Sequence, residues 1–169
     1  MRISINNLKR YSFLLLAIMV IVACREDEKG QDEYVVNPLT SLPPNAGKTK
    51  QKTNQQYVAI LHANLFQVAL SANQIFEISQ CIESIGDKEV AREVIISNFM
   101  NEVDVIMPSN EVMRADLRSF IIGTYNRFLV RNPTESEITY FQNYIGGNPN
   151  VTPELVYYSF SLSNEYLYY

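Results

Sequence analysis

The 169-residue chain has one histidine, two cysteines and no tryptophan, and its 14 basic residues are outnumbered by 18 acidic ones. Each shortage removes a class of protein. Two cysteines cannot build a disulfide scaffold or a multi-cysteine zinc site. A single histidine cannot supply a two-histidine metal site, and CxxCH haem attachment needs cysteines that the chain does not place nearby. A net charge of −4 lacks the basic footprint of a nucleic-acid module. The mostly apolar, uncharged stretch from Tyr11 to Ala23 spans 13 residues. As a helix it would cover about 20 Å, short of the roughly 30 Å hydrocarbon core of a bilayer. What remains is ordinary: 47% hydrophobic residues in one domain's length of chain, which excludes wholesale disorder.

The apolar stretch follows Arg2, Lys9 and Arg10 and ends in Ile21-Val22-Ala23-Cys24, with the charged run Arg25 to Lys29 directly behind it. A basic start, a short apolar run and a small residue at its end describe a signal peptide. Ile-Val-Ala-Cys resembles the lipobox of bacterial lipoproteins. The resemblance covers residues 1–24 and implies cleavage between Ala23 and Cys24, a diacylglycerol on the Cys24 sulfur and a third acyl chain on its amine. Each buried methylene contributes ~0.8 kcal/mol, so two or three chains hold firmly where one is marginal. Arg25 stands where an Asp would resemble an inner-membrane retention signal, and the resemblance therefore implies the outer membrane. Glu26-Asp27-Glu28 also resembles the tag that sends some lipoproteins to the outer face.

Removing residues 1–23 takes away three basic residues and no acids, leaving 11 against 18 and a charge of −7. Anionic headgroups repel such a surface, so the acyl chains must provide the attachment. Residues 25–53 carry Pro38, Pro43, Pro44, Asn45, Gly47, Lys48, Lys50 and Lys52 among small polar residues, without an apolar pattern. They read as a flexible tether with an r.m.s. reach of roughly 30 Å.

From Asn54 the pattern is helical. Val58, Leu61, Leu65, Val68, Ala72, Ile75, Ser79 and Ile82 alternate spacings of three and four, the stripe of one long helix. Gly86 stops it, and Asp87 caps a second helix with Val90, Val94, Phe99 or Met100, and Val103 inward. Ser109 or Asn110 caps a third, with Met113, Leu117, Phe120, Ile121, Thr124 and Phe128 on one side. Asn132-Pro133 ends that helix, because the residue before a proline is pushed out of the α region. Thr134-Glu135-Ser136-Glu137 has the spacing of a capping box, and Gly146-Gly147 end the helix it opens. Thr152-Pro153 is an N-cap followed by proline at the first helical position of a fifth. Residues 125–134 also resemble helical-hairpin modules of secreted and surface-layer-associated bacterial proteins, with Ser136-Glu137 where those carry a turn glycine. Arg131 there suits a helix C-terminus, whose dipole and carbonyls favour a cation.

Chemistry-bearing residues are scattered. His62 sits at a half-exposed flank beside Leu61. Met100, Met107 and Met113 at helical spacing read as core filler rather than haem ligands. Cys81 has no basic residue within a helical turn to lower its pKa and reads as a sheltered thiol. Glu89–Glu93 and Glu135–Glu137 are not brought together across a cleft as hydrolysis requires. Glu89–Arg92 and Glu111–Arg114 read as surface pairs. The dense feature is aromatic: seven of the eleven tyrosines fall in the last 30 residues, and Tyr157, Tyr158, Tyr166, Tyr168 and Tyr169 are the candidate interaction surface.

The expectation is an all-α domain of about five helices over residues 54–169, with a long first helix as spine. A signal peptide (1–23) and a lipidated Cys24 with its tether (24–53) precede it. The expected role is a non-catalytic interaction or structural module anchored to the bacterial outer membrane by acyl chains. It meets an envelope protein, needs no cofactor or metal and does not bind nucleic acid. The alternative is a lipoprotein that binds a glycan or another envelope ligand through its C-terminal tyrosines.

Overall fold

Helix starts in this chain are written in side-chain oxygens. Thr53, Ser71 and Thr134 each accept a hydrogen bond from the N–H three residues on, while Gln56, Gln74 and Glu137 reach back to the cap's own N–H. Such a box satisfies donors that a helix start otherwise leaves orphaned. Asp87, Ser109, Asp116 and Thr152 cap four more helices singly. The computed structural model describes residues 47–169. They form seven α-helices: α1 (Asn54–Phe66), α2 (Ala72–Ser84), α3 (Lys88–Met100), α4 (Asn110–Ala115), α5 (Leu117–Thr124), α6 (Glu135–Gly147) and α7 (Pro153–Leu162). A π-helical turn, Tyr125–Leu129, extends α5, and a 3₁₀ turn, Asn164–Leu167, follows α7. No strand occurs among the described residues, and the domain is all-α. Ala23, Cys24, the expected leader and the tether up to residue 46 lie outside them.

The expected long spine is two 13-residue helices. Gln67 turns left-handed (φ 55°, ψ 24°) and closes its N–H on the Ala63 carbonyl, and Ser71 restarts the chain in a new capping box. Tertiary partners hold the stop open: Ile106 N–H donates to the Leu65 carbonyl at 2.9 Å, and Arg127 donates to the carbonyls of Asn64 and Leu65. The stripe is buried at Val58, Leu61, Leu65, Ser79 and Ile82, but Ile75 is only partly buried, Ala72 at the start of α2 is exposed, and Val68 in the connection is 63% exposed.

Two further boundaries move. In α3 the expected inward residues Val90 and Val94 are 46% and 47% exposed, and the core face is Ala91, Ile95, Ile96 and Met100. A one-residue offset rotates a helix face by about 100°. The helix stops at Met100, leaving Val103 in the loop, nearly fully exposed. Asp116 (φ −145°, ψ 81°) divides the expected third helix by ending α4 and capping α5.

The core gathers α1, α3, the π turn, α6 and α7 around Tyr57, Leu61, Ile96, Phe128, Ile145, Phe160 and Tyr166. Arg114 does not pair with Glu111. Its guanidinium donates to the carbonyls of Ile145, Asn148, Pro149 and Val151, tying α4 to the connection between α6 and α7.

Candidate functional site

The entry segment and the carboxy-terminal tail pair with each other. Lys52 N–H donates to the Leu167 carbonyl at 2.9 Å and Tyr169 N–H to the Lys50 carbonyl at 2.8 Å, with Gln51 and Tyr168 facing antiparallel. The last residues of the expected tether, from Lys48 on, therefore belong to the folded body. In an extended segment alternate residues share a side, and Lys48, Lys50 and Lys52 are alternate. Lys52 Nζ donates to the Tyr166 carbonyl and, at 2.8 Å, to the Tyr168 carbonyl, and lies 5.0 Å from the Tyr169 ring centre. Lys48 Nζ donates to the Leu129 carbonyl at the end of the π turn and stands 3.4 Å from Glu165.

Between this strap, α1 and the π turn lies a cavity of about 560 Å³. Its apolar wall is Ile60, Ala63, Phe128 and Val130, its cations are Lys48, Lys52 and Arg127, and Tyr168 and Tyr169 stand at its edge. Val130 holds a left-handed conformation (φ 54°), which a β-branched residue adopts only at a cost of about 1–3 kcal/mol. Val130 is the C-cap that ends the π turn, as the left-handed Gln67 ends α1.

The charges are unevenly balanced. Arg131 donates to both carboxylate oxygens of Glu137 (3.0 and 2.7 Å) and to both of Glu165 (2.7 and 2.8 Å), and Lys48 completes this group of two cations and two anions. Lys52 and Arg127 have no carboxylate within ion-pair distance among the described residues. Burial, with the charge of Lys48 beside it, brings the Lys52 ammonium down to about 8. Hydrogen bonds from Arg131 bring Glu137 down to about 2.

The tyrosines separate into two groups. Tyr157 and Tyr166 are core residues and cannot be part of an exposed surface. The Tyr157 hydroxyl accepts from Arg127 at 3.2 Å, and the Tyr166 hydroxyl from Asn64 at 3.0 Å. Tyr158 is half-buried beside Ser97, Met100 and Leu155. Tyr168 and Tyr169 edge the cationic cavity, their tail docked on this chain's own lysines. The most exposed aromatic pair among the described residues is Tyr140 and Tyr144, one turn apart on α6, with ring centres 6.2 Å apart and planes within 4°.

The remaining candidates have local roles. His62 stacks on Phe66 at 4.4 Å, and its Nδ1 lies 2.9 Å from the Val68 carbonyl. Cys81 is exposed, not sheltered, because it lies off the narrow buried stripe of Ser79 and Ile82 on α2. Glu135 pairs with Arg118 at 2.7 Å. Lys48, Lys52 and Arg127 were not singled out from sequence; the Lys-x-Lys-x-Lys alternation, the period of an extended segment, was the available signal. Comparison with protein-family models, curated proteins and solved structures finds no match.

Proposed function

We propose that this chain is a lipid-anchored helical module of the bacterial outer membrane that acts by contact with another envelope protein. The observation that carries the proposal is the order of residues at the start: Arg2, Lys9 and Arg10, the apolar run to Ala23, then Cys24 and a charged segment. Acylation there would tether the helical body at a surface where its partners are also held, which raises their effective concentration. Apolar residues left outside the core support a contact role: Val90 and Val94 lie one turn apart on α3, and Val112 and Leu155 are also exposed. The test of anchoring is Cys24→Ala, which is expected to move the protein from the membrane to the soluble fraction and to block normal leader removal. A variant that stays membrane-bound and normally processed refutes it. For contact, a photo-crosslinker at Val94 is expected to capture a second envelope protein in intact cells, and recovery of monomer alone refutes that part.

The second reading, a lipoprotein that binds a glycan, is favoured by the stacked, exposed Tyr140 and Tyr144, since flat rings suit sugar faces. Glycan arrays distinguish the two: binding that Tyr140→Ala and Tyr144→Ala abolish supports it, and no binding by the unaltered protein removes it.

A further inference from the structure

We propose that the cavity between the Lys48–Lys52 strap, α1 and the π turn binds a small carboxylate with an apolar body, the carboxylate against Lys52 and the body against Ile60, Ala63 and Phe128. Four observations carry this inference.

The first is composition. In a chain with more acids than bases, the residues lining this cavity include three cations and no Asp or Glu. The second is charge balance. Arg131, Glu137, Glu165 and Lys48 neutralise one another, while Lys52 and Arg127 have no carboxylate within ion-pair distance among the described residues, Glu165 acting on Lys52 only from farther away. Partly buried cations without counter-ions favour an anion.

The third is donor capacity. An ammonium carries three N–H groups and a guanidinium five. Lys52 uses two, on the Tyr166 and Tyr168 carbonyls, and Arg127 uses three, on Asn64, Leu65 and Tyr157. By this count Lys52 keeps one N–H, on an ammonium that also lies over the Tyr166 and Tyr169 rings, and Arg127 keeps two. Lys52 is depressed only to about 8, so it remains mainly charged at neutral pH. The fourth is shape. A volume of about 560 Å³ lies within the roughly 300–1,000 Å³ of small-molecule pockets, which pair apolar walls with a few placed polar groups. A compact inorganic anion would leave the apolar wall wet, and an uncharged hydrocarbon would leave the cations uncompensated.

The test is calorimetric titration of 4-phenylbutyrate into the full chain held in phosphatidylcholine nanodiscs, with empty nanodiscs subtracted. Saturable one-to-one binding is expected. 4-Phenylbutyramide, the same body without the charge, and acetate, the charge without the body, should each bind at least roughly tenfold more weakly, the size of one charge-assisted hydrogen bond or of a few buried methylenes. Lys52→Met should weaken 4-phenylbutyrate by a similar factor. Because that variant also loses the bonds to the tail, Ala63→Phe is the second arm: it fills the cavity from α1, leaves all three cationic residues in the chain, and should abolish binding while the far-ultraviolet circular dichroism stays unchanged. Absence of binding by the unaltered chain overturns the proposal. So does equal binding of acid and amide, or undiminished binding to folded Ala63→Phe.

Discussion

Arg131 and Glu165 stand 34 residues apart in the chain and meet as a bidentate pair, Nε to Oε1 at 2.7 Å and Nη2 to Oε2 at 2.8 Å, while the same guanidinium is also bidentate to Glu137. One arginine thus joins the end of the π turn, the start of α6 and the 3₁₀ turn after α7. Its side chain is 10% exposed, against 49% for Arg118 in its pair with Glu135. Removing one member of a buried network strands the others without partners, whereas exposed pairs contribute little. Arg131→Met is therefore expected to lower unfolding free energy by about 2–4 kcal/mol and Arg118→Met by less than about 1 kcal/mol. Urea denaturation of both variants checks the contrast.

The same network sets the response to acid. Arg131 holds Glu137 at about 2, below the usual 4.5 of the unfolded chain. Glu165 is also lowered: burial pushes it up, but Arg131 and Lys48 outweigh that. A carboxylate depressed by folding contributes stability above its unfolded pKa and loses it as pH falls through its folded pKa. Thermal stability should therefore fall between about pH 4.5 and about pH 2. Glu137→Gln should start lower at neutral pH and fall less across that window.

Gln67→Gly distinguishes a broken first helix from a continuous one by sign. A left-handed Gln costs about 1–2 kcal/mol and glycine's extra unfolded freedom about 0.5–1 kcal/mol, so the substitution should stabilise by about 0.5–1 kcal/mol. In a continuous helix it would destabilise by about 1 kcal/mol. Chemical denaturation gives the answer directly.

Tyr166 is wholly buried, edge-on to Tyr57 at 5.7 Å, with Lys52 over its ring at 4.8 Å. Tyr166→Ala should cost about 3–5 kcal/mol, as expected for a large ring leaving a cavity. Tyr169→Ala, at the exposed end of the same tail, should cost less than about 1 kcal/mol. Paired thermal melts measure both.

Cys81 is exposed, with its thiol 3.7 Å from the Glu77 carbonyl. In the native protein it should react with a disulfide reagent at a rate within a few-fold of that in urea. Protection that disappears only on unfolding would place the thiol inside.

Much of this fold is legible locally because its signals act within one helical turn. Asp87, Ser109 and Thr134 cap the helices their side chains announce, and Pro153 occupies the first position of α7. The face of α3 is ambiguous in sequence because Val90-Ala91 and Val94-Ile95-Ile96 offer two adjacent apolar stripes, and only the neighbouring helices decide which one is buried. Ser71 and Gln74 advertise a capping box, but the apolar spacing runs straight through them. Choosing the break requires Ile106 and Arg127, which reach the α1 carbonyls from about 40 and 60 residues away.

From its order of residues alone the chain settles its helical class, most of its caps and the burial of the α1 stripe, since these follow from periodicity and from which side chains can reach a nearby amide. Tertiary structure alone decides that Lys48 and Lys52 pack against the carboxy-terminal tyrosines. It likewise makes Tyr157 and Tyr166 core rather than surface, and leaves Lys52 and Arg127 beside an apolar wall. Those outcomes depend on groups more than 100 residues apart in the case of Lys52 and Tyr166, and no local spacing rule carries that distance.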